Sequence, residues 1–256
     1  MSSRYTYGDS TAAEERLRLL AEVYEPTTRV FVSEVVTGPV GVAVDLGCGP
    51  GGTTAVLAGA LSSGRLIGVD RSERFLEDAR VVVPDAEFVA HDVTEVPFPW
   101  GFADVLYCRF VLGHLPNPTD VLASWVEQLE PGGVLAVEEY ERIESPHPAV
   151  AGYLEVSEAM VASEGANLRI GPILQEVTSL PGGELIVNRE MTFEPGAGRI
   201  ARIFQLNLPT MRANAFVAER FGEDVLVQLE SGLEDLVENA AAVTATVRQV
   251  AFLRRS

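Results

Sequence analysis

With 256 residues and a formal charge of −18, the chain is long enough for one large α/β domain or two small ones, and its acidity argues against nucleic acid or an anionic membrane as partner. All 19 basic residues are arginine, so a lysine base or Schiff base is excluded. Cys48 and Cys108 have neither metal-ligand spacing nor the look of a disulfide framework, and no apolar run reaches the roughly 18 residues of a membrane span, so a cytoplasmic protein without a metal is expected.

Residues Met1–Thr11 are polar, with Tyr5 and Tyr7 placed to form either a tail or a lid. From Thr11 to Val36 apolar residues recur at helical spacing, and Pro26 divides the stretch into two expected helices. Next comes V-A-V-D-L-G-C-G-P-G-G-T-T over Val42–Thr54, where an apolar strand ends at the acid Asp45. Gly47, Gly49 and Gly51 then alternate before a helix-forming segment, Thr53–Leu61. Such a strand, turn and helix start suits a polar or anionic ligand at the open amides. The acid argues against a dinucleotide, because its pyrophosphate would be repelled and its usual fingerprint spaces the glycines differently. A carboxylate here suits an ammonium group, and the glycines suit a carboxylate and a ribose.

On this D-x-G-x-G-x-G motif the chain resembles the class I S-adenosylmethionine-dependent methyltransferases. Later motifs extend the likeness over Val42–Glu139. The resemblance implies an α/β, Rossmann-like, doubly wound seven-stranded sheet, mostly parallel with its last strand antiparallel, under a helical cap. It implies S-adenosylmethionine as cofactor and a small-molecule acceptor.

The second strand, Arg65–Asp70, ends in an acid about 25 residues after Asp45, the length of a strand–helix–strand unit. Asp70 is therefore expected to hold the ribose hydroxyls, with Arg71 beside it among the cofactor-binding residues. A third strand, Ala86–Ala90, leads into His91-Asp92-Val93. The resemblance puts Asp92 at the adenine amine and the Val93 backbone near the ring, while His91 reads as a loop residue. After the fourth strand, Phe102–Tyr107, the run Cys108–Leu115 contains Arg109 and His114. Arg109 has the planar fork to pair with a methionine carboxylate, or it serves a structural ion pair. His114 is the one histidine expected in the cleft, as general base or as scaffold.

Helix Thr119–Leu129 is expected to end at Pro131-Gly132-Gly133, a turn into a fifth strand, Val134–Glu138. Either Glu138 or Glu139 is placed to orient or deprotonate an acceptor, one in the pocket and the other solvated. Helices are expected at Ala149–Ser163 and Leu168–Leu180, a strand at Glu184–Phe193, two helices at Arg199–Ala218 and Glu223–Asn239, and a final strand at Ala245–Leu253. One domain is expected, with residues 1–38 and 196–240 contributing to the cap. Ile203, Phe204, Leu206, Leu208, Met211 and Phe216 either line an acceptor pocket, pack the insertion or form a homodimer surface.

Methyl transfer from a sulfonium is mainly a matter of positioning, and a base is needed only where the acceptor must lose a proton. The D-P-P-Y-type motif of nucleic-acid amino-methyltransferases is absent, since C-R-F-V stands in its place. The acid pair of metal-dependent catechol enzymes is absent too. The expected activity is methyl transfer to oxygen or nitrogen of a neutral or cationic small molecule, with secondary metabolism as the expected setting and with His114 and Glu139 as catalytic candidates. A non-methylating enzyme of the same fold, such as a cyclase, and a peptide or protein methyltransferase are the alternatives.

Overall fold

The computed structural model describes residues 7, 8, 10–115 and 117–255; Tyr5 lies outside them. A long helix α1 (Thr11–Val35) precedes the units β1 (Val40–Leu46), α2 (Gly52–Ala60), β2 (Ser63–Asp70), α3 (Glu73–Val82) and β3 (Glu87–Ala90). Then come β4 (Ala103–Arg109), a 3-10 turn (Leu112–His114), α4 (Pro118–Val126), β5 (Leu129–Glu144), α5 (Pro148–Ser163) and α6 (Gly171–Gln175). The chain closes with β6 (Gly183–Phe193), α7 (Ala197–Ala213), α8 (Ala215–Arg220), α9 (Gly222–Glu238) and β7 (Thr244–Arg254).

These strands make one 7-stranded sheet in the order β3-β2-β1-β4-β5-β7-β6. Its pairings are parallel from β3 to β5, while β7 runs antiparallel to both β5 and β6. The expected Rossmann-like sheet is therefore present, its last strand reversed. Strand alternation sorts the core onto two faces. On β4, Leu106 and Cys108 enter one buried cluster with Trp125, whereas Val105 and Tyr107 enter another with Phe31 of α1. A third cluster joins α5, α7 and α9 to Val23 and Tyr24 of α1 and to Val247 of β7. No helix among the described residues is long and apolar enough to cross a membrane.

Several boundaries differ from expectation for identifiable reasons. Pro26 does not break α1: it lies exposed inside one 25-residue helix whose residues on either side, Tyr24 and Thr28, are buried. Tertiary packing thus outweighs the lost backbone bond. Pro131-Gly132-Gly133 is no turn but part of β5, where the register against β4 shifts between Ala103 and Val105. There Gly132 takes a φ of 83°, and a Cβ on Gly133 would lie 2.9 Å from the Glu130 carbonyl oxygen. The expected helix Leu168–Leu180 contracts to α6. Between β6 and β7 stand α7, α8 and α9 rather than two helices: Asn214 leaves the helical backbone at the end of α7, its amide donating to the Met211 carbonyl, and its side chain caps α8 by accepting from the Val217 amide (3.1 Å).

Candidate functional site

The order of the sheet reverses between β1 and β4, and open α/β sheets leave a crevice at the carboxyl ends of such strands. A cavity of about 470 Å3 opens there, reaching from the glycine turn to α5 and α7. Its floor is the loop after β1. Gly47 and Gly49 take positive φ (77° and 52°) and line it, and a Cβ on Gly47 would meet the Val111 side chain at 2.3 Å. Gly51 also has positive φ, 86°, but does not line the cavity. Its missing side chain lets the turn lie against α3, where a Cβ would sit 2.9 Å from the Ala79 Cα.

Asp45 is likewise absent from the cavity wall. Its carboxylate is buried behind the turn and accepts a hydrogen bond from the Thr54 hydroxyl (2.7 Å), tying β1 to the first turn of α2. Burial pushes its carboxyl up to about 7, against the pull of Thr54 and Arg109. The direct contact expected of Asp45 is therefore replaced by support of the turn from below.

Asp70 lines the wall at the end of β2, one oxygen accepting from the Gly49 amide (3.0 Å) and the other from the Ser72 amide (2.9 Å). Its carboxylate so clamps the glycine turn to the start of α3, and burial raises its pKa. Arg71 and Asp92 face each other across the same end of the cavity (3.5 Å). Burial pushes the Asp92 carboxyl upward, but the Thr94 bonds and Arg71 outweigh it and hold the group below its ordinary value. Val93 is buried at the wall, its carbonyl accepting from the Trp125 indole (2.7 Å). His91, read as a loop residue, joins the lining and stands edge-on to Trp100 at 5.7 Å.

Arg109 is buried at the cavity, and its guanidinium donates to the Thr28 hydroxyl (2.9 Å) and reaches Thr53 (3.5 Å). Among the described residues it makes no salt bridge, so the structural ion pair weighed for it is not observed. The Thr28 hydroxyl donates in turn to Glu138 (2.5 Å), which also accepts from Tyr107 (2.5 Å) and Gln249 (2.8 Å). Glu138 thus anchors the hydroxyl that holds Arg109, from a fully buried position outside the cavity. The expected pairing of one pocket acid with one solvated acid is corrected accordingly, because Glu139 is buried too. Glu139 reaches the cavity, but one of its oxygens accepts from the amides of Val111 (2.8 Å) and Leu112 (2.7 Å), capping the 3-10 turn. Burial carries its carboxyl up to about 8 despite those amides. His114 lines the cavity at the end of that turn, and burial together with the Arg16 charge lowers its pKa to about 4.

Half of the cavity was illegible in the glycine motif. Tyr7, Arg16, Leu20 and Tyr24 line it from the N-terminal side, Tyr153, Leu154 and Ser157 from α5, and Ile200, Ile203, Phe204 and Asn207 from α7. Of the apolar α7–α8 residues considered from sequence, Ile203 and Phe204 line it, while Leu206, Leu208, Met211 and Phe216 do not. Tyr153 stacks on Phe204 at 3.7 Å and accepts from Asn207; Tyr7 bonds Ser157 (2.5 Å) and stands edge-on to His114 (6.3 Å).

Residues 44–137, the segment from β1 to β5 that builds the glycine turn and the Arg109 loop, match the family model of the methyltransferase domain. Trans-aconitate 2-methyltransferase of Enterobacter sp. (strain 638) is 34% identical over 132 residues, covering 52% of this chain and 49% of that protein. The enzyme of the same name from Methylobacterium nodulans is 30% identical over 162 residues, 62% of each chain. The chain thus spans about half the length of the first curated relatives it matches, 49% of each. Among solved structures, a methyltransferase-like protein of Bacillus halodurans C-125 superposes with a TM-score of 0.57 at 16% identity, over 86% of this chain and 95% of that one. An N-methyltransferase of Haemonchus contortus, solved with S-adenosylhomocysteine, gives 0.56 at 16% identity over 92% of this chain and 57% of its own. Sheet order, glycine turn and family match agree over this segment: residues 44–137 carry a methyltransferase domain, on a seven-stranded sheet of the Rossmann-like methyltransferase fold.

Proposed function

We propose that the protein transfers a methyl group from S-adenosylmethionine to an oxygen or nitrogen of a small organic molecule. The observation that carries this reading is a single cavity with two chemically distinct ends, one built from the glycine turn, Asp70 and Arg109, the other from α1, α5 and α7. The first end fits the cofactor. Gly47 and Gly49 form a side-chain-free floor, and the Arg109 guanidinium, held by hydroxyls instead of an acid, suits an amino-acid carboxylate. Asp70 keeps acceptor capacity for a ribose diol, Asp92 for an exocyclic amine, and Arg71 orients Asp92. Bound there, the cofactor supplies an electrophilic methyl group. Asp45 and Gly51 act through the shape of the turn.

The second end is lined by apolar side chains together with Tyr7, Tyr153, Ser157 and Asn207, and among the described residues it offers no strong base. His114 is neutral at pH 7 and a weak proton acceptor, and Glu139 is occupied by the turn it caps. Their work is to hold the loop after β4 beside the acceptor. Membership of secondary metabolism and the trans-aconitate named for the relatives are both finer than this reading, and product identity decides between them.

The test combines binding with labelling. Calorimetry is expected to give S-adenosylhomocysteine binding that Asp70→Ala weakens at least roughly tenfold, the loss of charge-assisted hydrogen bonds. S-adenosylmethionine with a deuterated methyl group, incubated with a small-molecule extract, is expected to yield a labelled product by mass spectrometry. Absence of any binding to the wild-type protein would overturn the reading.

A further inference from the structure

Among the hydroxyls around Arg109, that of Tyr24 stands apart. Thr28 and Tyr107 both donate to Glu138 (2.5 Å each), and Thr28 accepts from Arg109. Tyr24 lies one helical turn before Thr28 on α1, so one face of that helix presents both residues to Arg109, whose guanidinium carbon is 6.0 Å from the Tyr24 ring centre. The ring is 3% exposed and meets Phe110 (4.8 Å) and Phe193 (5.1 Å) edge-on. Phe110 takes this place with a left-handed backbone (φ 59°), a conformation that a bulky residue keeps only where its surroundings impose it. Tyr24 is thus fixed in position, yet its phenol has no hydrogen-bond partner among the described residues; the bond it accepts from the Thr27 hydroxyl (2.8 Å) goes to its backbone carbonyl.

Buried tyrosine hydroxyls ordinarily find a partner, and an unpaired one costs stability. The Tyr24 oxygen is not sealed within the protein, and its ring lines the cavity, so the hydroxyl opens there. Burial holds the phenol well above its ordinary pKa against the pull of Arg109, which leaves it a proton donor at neutral pH. A donor beside a guanidinium suits an oxyanion and disfavours a cation. Resting on the methyltransferase reading, we propose that the Tyr24 hydroxyl is a second ligand of the cofactor's amino-acid carboxylate, which it shares with Arg109, and that α1 thereby forms part of the cofactor site. Thr28 and Tyr24 then divide the work on one helix face: the first holds Arg109 in place, and the second binds beside it.

The test compares two ligands by calorimetry. S-adenosylhomocysteine carries the amino-acid carboxylate; 5′-methylthioadenosine has the same adenosine and a thioether sulfur but lacks that carboxylate. Tyr24→Phe keeps the ring and removes the hydroxyl alone. It is expected to weaken S-adenosylhomocysteine roughly tenfold, the loss of a hydrogen bond to a charged group, and to leave 5′-methylthioadenosine affinity unchanged. Without ligand the variant is expected to unfold no more readily than the wild-type protein, because an unpaired hydroxyl is all that it has lost. Unchanged S-adenosylhomocysteine affinity, an equal loss for both ligands, or a clear loss of stability in the ligand-free variant would overturn the proposal and leave the methyltransferase reading standing. Failure of the wild-type protein to bind S-adenosylhomocysteine would instead remove that reading, and this one with it.

Discussion

Gly49 and Gly51 lie two residues apart in one turn and take the same left-handed backbone, yet a methyl group on each meets different surroundings. At Gly49 it would touch Leu17 Cδ1 at an ordinary 3.4 Å; at Gly51 it would be forced to 2.9 Å from the Ala79 Cα. Both alanines carry the left-handed strain of about 1–2 kcal/mol, but only the second must also displace α3. Chemical denaturation is therefore expected to find Gly51→Ala clearly less stable than Gly49→Ala; equal losses would refute the packing role given to Gly51. The buried acids make a second prediction. The Asp45 and Glu139 carboxyls ordinarily lie at 3.8 and 4.5 and are raised to about 7 and about 8 in the fold, so the native state holds protons that the unfolded chain has released. Their contribution is complete below the unfolded values and lost as pH rises through the folded ones. His114 has the opposite sign, lowered from 6.5 to about 4, and loses its contribution as pH falls through that window. The effects oppose one another below pH 6.5, and only the acids act above it. Denaturation between pH 6.5 and 8 is expected to show falling stability in the wild-type protein and a flatter profile in Glu139→Gln.

At the scale of elements, α1 carries the next expectation. Pro26 removes one backbone hydrogen bond from an exposed position, and the helix persists because Val23, Tyr24, Thr28 and Phe31 are buried around it. Pro26→Ala restores that bond without touching the core, and is expected to stabilise the protein by about 1–3 kcal/mol in thermal or chemical denaturation. A loss of stability would mean that the proline's shape is needed by a neighbour. The same helix marks where the sequence stops being legible. Short apolar strands ending in Asp45, Asp70 and the stretch before Asp92 announce the sheet, because strand ends and ligand-facing acids coincide in this architecture. The N-terminal and α7 contributions to the cavity have no such marker. Ile203 and Phe204 face the cavity and Leu208 and Met211 face their neighbours, but all four are apolar residues of one amphipathic helix. Periodicity tells inside from outside, not a ligand wall from a packing wall. Arg16 was hidden for a related reason: an arginine within a helix reads as solvated until burial brings it to the cavity. Glu138 and Glu139 are adjacent on β5, where alternation sends them to opposite faces; both faces are covered, which a reading of one strand alone does not reveal.

The molecule as a whole carries a charge of −18, and that field reaches any charged ligand before the cavity does. S-adenosylmethionine bears a sulfonium, an ammonium and one carboxylate, hence a net positive charge, and is attracted. A carboxylic acid acceptor would be repelled at long range and would be held only by contacts inside the cavity, over distances too short for salt to screen effectively. Raising the ionic strength from about 0.01 M to about 0.15 M shortens the Debye length from about 30 Å to about 8 Å, which removes much of the long-range field and leaves the contacts. S-adenosylmethionine binding is therefore expected to weaken with salt, while the KM for an anionic acceptor would fall. A cationic acceptor would instead follow the cofactor, and a neutral one would scarcely respond. Steady-state assays at several ionic strengths thus read the acceptor's charge from outside the site, independently of any substitution within it.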